Sequence, residues 1–94
     1  MLEKDFQKNI IKWLHSKGCL VIKYQQNATT RASIPDIIFL KDGFWGAIEV
    51  KKSKNAKCRP GQKEMVEKMD QMSWAKLVYP ENWAETRKEL EIML

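Results

Sequence analysis

Residues 33–52, SIPDIIFLKDGFWGAIEVKK, leave few folds open. Two apolar runs flank Asp42-Gly43, the dipeptide favoured in two-residue hairpin turns. With those two residues as the loop, Lys41 pairs with Phe44, Leu40 faces Trp45, Ile38 faces Ala47 and Asp36 faces Glu49. Side chains alternate across a sheet, so Asp36, Glu49 and Lys51 share one face. A bulge or a longer turn would shift this register. The remaining partners on both faces are mostly apolar, the pattern of strands covered on two sides.

Acids inside such a hairpin need a reason. A chain of 94 residues has a modest core, burying roughly 60–70% of its unfolded surface. Directly opposed residues bring their Cβ atoms to about 4.5–5.5 Å, and two carboxylates that close repel unless a cation lies between them. Two readings stand. In one, Lys51 neutralises Glu49 or Asp36 in a structural ion pair. In the other, one lysine against two carboxylates leaves a net negative site that a divalent cation fills. Mg²⁺ is commonly held by one or two carboxylates, with water and phosphate oxygens completing its shell. Such an ion polarises a phosphoryl oxygen and acidifies bound water. Lys51 would then orient or deprotonate that water, or stabilise charge developing on phosphorus.

The flanking sequence predicts a small α/β layout. Residues 2–17 read as a helix with Phe6, Ile10, Trp13 and Leu14 on one face and Gly18 as its stop. Glu3 and Gln7 lie beside Phe6 and Ile10 on that face. Residues 19–24 read as a strand, QQNATTRAS as a polar loop and KSKNAKCR as a basic one. Pro60 suits the first turn of a helix running to about Met72, with Met65, Val66, Met69 and Met72 inward and Gln62 leaning towards the sheet. Residues 74–79 read as a strand. Asn82 with Glu85 forms a capping box for a last helix carrying Trp83, Leu90 and Leu94. The order is αβββαβα, one domain over residues 1–94 with helices on a mixed sheet.

Charge is unevenly spread. The net charge is +5, and no acid falls between Asp5 and Asp36, a span holding Lys8, Lys12, Lys17, Lys23 and Arg31. None falls between Lys51 and Lys63 either, where Lys52, Lys54, Lys57 and Arg59 lie. Two such stretches beside the hairpin favour a polyanionic partner, although they also suit a solvated surface. No apolar run approaches the roughly 20 residues of a membrane span. MLEKDFQKNI lacks the apolar segment of a signal peptide. Cys19 and Cys58 match no metal-ligand spacing, so a reduced, cytoplasmic setting is the simplest reading. His15 is the sole histidine, too few for a histidine-metal nuclease, and no phosphate-binding P-loop motif occurs.

Pro35-Asp36 followed by Glu49-Val50-Lys51 resembles the PD-(D/E)xK signature of a large nuclease superfamily. The αβββαβ order resembles that superfamily's restriction-endonuclease-like core, with a helix added at the C-terminus. The spacing is closer still to the virus-type replication-repair nuclease (VRR-NUC) branch, in its compact standalone form. Glu3 in an early helix, Pro35-Asp36, Ile48-Glu49-Val50-Lys51 and Gln62 opening a later helix match its elements. Ser33 departs from the glycine that many members carry ahead of Pro-Asp.

The resemblance implies a DNA endonuclease dependent on Mg²⁺ or Mn²⁺. Asp36, Glu49 and the Val50 carbonyl would bind metal, and Lys51 would be catalytic. Gln62 would help position water or phosphate, and Glu3 would hold a metal water or a second metal. Each has a plainer reading too: Glu3 as a charge favourable to the helix dipole, Gln62 as a partner for exposed helix amides. Lys52, Lys54, Lys57, Arg59, Lys63 and Arg31 are the expected DNA-backbone contacts. The likeness extends to dimeric Holliday-junction resolvases, which implies a homodimer on branched DNA in replication, repair or recombination. Trp13, Trp45, Trp74 and Trp83 are many for a small core, and one of them would suit a surface covered by a partner. Competing readings are a nuclease fold that binds nucleic acid without cutting it, a nicking subunit working with a helicase, and a purely structural domain.

Overall fold

The computed structural model describes residues 2–24 and 33–94. Arg31 and most of the polar loop ahead of Pro35 lie outside the described residues. Elements follow in the expected order: α1 (Glu3–Ser16), β1 (Leu20–Lys23), β2 (Ile37–Lys41), β3 (Phe44–Val50), α2 (Gln62–Met72), β4 (Ala75–Val78) and α3 (Pro80–Met93). The sheet order is β1-β2-β3-β4. β1, β2 and β3 form an antiparallel meander, and β4 returns through α2 to lie parallel to β3.

Local chemistry explains the hairpin. Asp42 and Gly43 both have positive φ, 49° and 84°, as the primed turn between twisted strands requires. The register is the one the turn dictates, with Lys41 opposite Phe44, Leu40 opposite Trp45 and Ile37 opposite Ile48. Pro35-Asp36 falls just before β2 rather than within it. Residue 46 is glycine because the Phe39 ring lies flat across it; a Cβ there would come within 2.3 Å of Phe39 Cζ.

The period-two alternation sends the strands' side chains to two cores. Ile37, Phe39, Ile48 and Val50 meet Phe6, Ile10 and Leu14 of α1 and Leu90 of α3. Burying each such side chain contributes about 1.5–3 kcal/mol. On the other face Ala47 and Ala75 meet Val66 of α2, flanked by Ile38, Trp45, Met69 and Leu77. The small alanines let α2 sit close over β3 and β4.

Several expectations change. Met72 is 69% exposed, because α2 ends there and its last turn overhangs the sheet. The strands are not all covered on two sides: β3 is, but Leu20, Ile22 and Leu40 are exposed, since α2 lies over β3 and β4 and leaves β1 and β2 open on that face. α3 begins at Pro80, so Asn82 is not its N-cap. Instead Asn82 Oδ1 accepts from the Tyr79 backbone N–H (2.9 Å), and its amide donates to the Leu77 carbonyl (3.0 Å). Of the four tryptophans Trp74 is buried, while Trp13, Trp45 and Trp83 are half-buried.

Candidate active site

Three chain segments converge at one end of β3. The hairpin register sets Asp36 beside the end of that strand, where Asp36 Oδ2 accepts the Val50 N–H at 2.9 Å. Lys51 continues the strand, its N–H donating to the Val78 carbonyl of β4 at 2.9 Å. The turn Arg59-Pro60-Gly61 then brings in α2. Gly61 adopts φ 84°, a conformation glycine takes without steric cost, and so points Gln62 inward.

Gln62 is fully buried and both ends of its amide are engaged. Its Oε1 accepts from Lys51 Nζ and from the Arg59 backbone N–H, each at 2.8 Å. Its Nε2 donates to Glu49 Oε2 at 3.0 Å. Because an N–H of the main chain fixes which end is the acceptor, the amide has one orientation. Lys51 Nζ also donates to the Lys57 carbonyl at 3.3 Å and lies 3.6 Å from Glu49 Oε2.

Glu49 is only 2% exposed. Burial, then the nearby Asp36 charge, push its carboxyl up to about 7, with a carboxyl–carboxyl hydrogen bond to Asp36 adding to the rise and Lys51 and Arg59 pulling the other way. The ion pair with Lys51 is present, yet it satisfies one side of the carboxylate alone. With both carboxyls ionised, Glu49 Oε1 is buried with no hydrogen-bond donor among the described residues. An unpaired buried polar atom costs about 1–3 kcal/mol, more when charged. Two oxygen ligands beside that orphaned atom suit a hard divalent cation. The donor set is small: among the described residues no three Asp, Glu, His or Cys side chains gather as ligands. Glu3, exposed in the first turn of α1, forms no such group with Asp36 and Glu49.

Lys52, Lys54, Lys57, Arg59 and Lys63 are all exposed around the segment that leaves the site. The Lys54 N–H donates to Glu81 Oε2 at 3.3 Å, which ties this segment to α3. Sequence reasoning missed the segment's backbone. The Lys57 carbonyl and Arg59 N–H hold Lys51 and Gln62, and since every residue carries those groups, no side-chain pattern announces them.

A mixed sheet with an αβββαβ core, carrying Pro-Asp before one strand and Glu-x-Lys at the end of the next, defines the PD-(D/E)xK nuclease superfamily. Within it the chain belongs to the archaeal Holliday junction resolvase (Hjc) family, whose model matches residues 3–91. A solved structure titled "VRR_NUC domain" is 28% identical, with a TM-score of 0.66 over 82% of each chain. No curated protein matches the chain. Among the described residues no helix is long and apolar enough to cross a membrane.

Proposed function

We propose that this chain is a divalent-cation-dependent endonuclease that hydrolyses phosphodiester bonds in branched DNA, four-way junctions included. The observation that carries the reading is Glu49 Oε1, buried with no hydrogen-bond donor among the described residues, on a carboxylate close to Asp36 and Lys51. Asp36, Glu49 and the Val50 carbonyl would hold Mg²⁺ or Mn²⁺, with Glu3 available to a water of that ion. When bound, the ion supplies Lewis acidity towards a phosphoryl oxygen and a more acidic water.

The chain's own groups do the positioning. Lys51, fixed by Gln62 Oε1 and the Lys57 carbonyl, places positive charge where negative charge grows on the phosphate. Gln62 is too buried to reach substrate, so its part is to set the spacing of Lys51 and Glu49 rather than to position water. Lys52, Lys54, Lys57, Arg59, Lys63 and Arg31 would hold the DNA backbone. Membership of a junction-resolvase family supports branched substrates and a two-fold homodimer. Leu20, Ile22 and Leu40, exposed on the sheet face that carries the acids, are the surface such a dimer would cover.

Cleavage of a labelled four-way junction with and without Mg²⁺ tests the reading. Asp36→Ala, Glu49→Ala and Lys51→Ala should each abolish cleavage while the circular dichroism stays that of wild type. Near-wild-type cleavage by any of the three would remove that residue from the site. Tight binding without cleavage by the wild type would favour a non-catalytic binding module.

A further inference from the structure

Away from the acids, on the opposite layer of the sheet, α1 and α3 enclose an open cleft of about 360 Å³ lined by Asn9, Lys12, Trp13, Ser16, Trp83 and Arg87. The two indoles meet edge to face, with centroids 5.5 Å apart and planes at 84°. Lys17 lies over Trp13 and Arg87 over Trp83, each 5.5 Å from the ring.

The charges around this cleft are sorted. α3 turns Glu85 and Glu89 towards Lys76 of β4, at 4.0 and 3.4 Å, and Glu89 also accepts from Trp74 Nε1 at 2.7 Å. Trp83 and Arg87, one helical turn apart, face α1 instead. α1 has no acid after Asp5. Glu91, one turn beyond Arg87, is engaged by Lys17 at 3.5 Å. Among the described residues neither Lys12 nor Arg87 has a carboxylate within ion-pair distance. Two cations without counter-charges therefore flank a half-buried aromatic wall.

We propose that this α1–α3 cleft is a second nucleic-acid contact, which grips the sugar–phosphate backbone of a DNA segment outside the scissile phosphate. Arg87 is held over Trp83, so its planar fork is ordered before a phosphate arrives, and guanidinium matches phosphate geometry in two parallel hydrogen bonds. Lys12 adds a point charge across the cleft. Because Lys17 and Arg87 cover ring faces, the indoles offer mainly edges, which suit a sugar better than a stacked base. The contact is therefore indifferent to sequence. The longest dimension of the domain is 33 Å, about 10 base pairs at 3.4 Å each, so one bent or branched molecule can touch both faces.

The inference rests on the reading of the chain as a DNA-binding enzyme, and the experiment separates the two. Fluorescence anisotropy in EDTA would measure the affinity of a labelled four-way junction for wild type, the Lys12→Ala/Arg87→Ala double variant and the Lys12→Arg/Arg87→Lys double variant. The alanine pair should weaken binding alike for several sequences and lower the salt slope by about 1.8 log units per log unit of salt, from two lost contacts. The charge-keeping pair should keep the wild-type salt slope and lose only the part of the affinity that the Arg87 fork supplies. Unchanged affinity and slope in a folded alanine variant would overturn the proposal, as would equal losses in both variants. Competition by polyglutamate as effective as that by DNA of the same charge would also overturn it, assigning the cleft to an acidic protein. Wild type that binds DNA through Lys12 and Arg87 but cuts none would sink the nuclease reading and leave this one standing. A wild type that ignores DNA removes both.

Discussion

Replacing Glu49 with glutamine should stabilise the cation-free protein, because the buried carboxylate is a liability until something compensates it. Glutamine mimics the protonated acid, keeps its volume and can still accept from Gln62 Nε2. The folded carboxyl titrates near 7 against an ordinary value of 4.5. A raised acid pKa costs stability as follows. Below pH 4.5 folded and unfolded chains are both protonated and nothing is lost. Between 4.5 and 7 the unfolded chain ionises first, so the folded state falls behind, and above 7 the whole penalty is present. At 1.36 kcal/mol per pKa unit the full penalty is about 3 kcal/mol. Urea unfolding in EDTA, followed by tryptophan fluorescence, should show Glu49→Gln and wild type nearly equal at pH 4.5. At pH 8 the variant should lead by up to about 3 kcal/mol. Groups away from the site titrate alike in both proteins and cancel in the difference. A difference that does not change between the two pH values would refute the burial argument, whatever its sign. Millimolar Mg²⁺ at pH 8 should recover part of the wild-type deficit, through preferential binding to the folded state.

Neutralising Lys52, Lys54, Lys57 and Arg59 together should weaken DNA binding for every sequence and flatten its salt dependence by about 0.9 log units per lost duplex contact; an unchanged slope would return that segment to solvated surface. Gly46→Ala drives a methyl into Phe39, which is fully buried and packed by Trp74 with ring centroids 5.9 Å apart. The cost should be about 1–3 kcal/mol or more in urea unfolding, and Phe39→Leu in the same chain should return part of it. Light scattering at micromolar concentration should give about twice the 11.1 kDa chain mass, and Leu20→Lys/Ile22→Lys should lower it towards one chain; a wild-type monomer would exclude the dimer.

The hairpin was legible because its determinants are local. Asp42-Gly43 sets the turn, the turn sets the register, and the alternation of side chains then puts Asp36, Glu49 and Lys51 on one face without knowledge of anything else in the chain. The helices were legible for a similar reason, each carrying its own apolar stripe and the first its own glycine stop. Reading failed where the answer depends on which surface another element covers. Met72 continues the stripe of α2 yet overhangs the sheet. Leu40 belongs to a hairpin strand that reads as covered on two sides and is exposed. Asn82 looks like an N-cap and instead stands at the third helical position, closing a capping box on the Tyr79 N–H.

The sequence by itself thus determined the order of elements, the β2–β3 register and the shared face of the acids, since each depends on contacts between chain neighbours or across a two-residue turn. Tertiary structure alone decided the rest. It buried Glu49 with one oxygen lacking a donor among the described residues, clasped Lys51 and Gln62 through the Lys57 carbonyl and Arg59 N–H, and sorted α3 so that Arg87 faces α1 with no acid partner among those residues. Those outcomes depend on where α2 and α3 dock, which is set by the summed packing of both cores and written in no single stretch of residues.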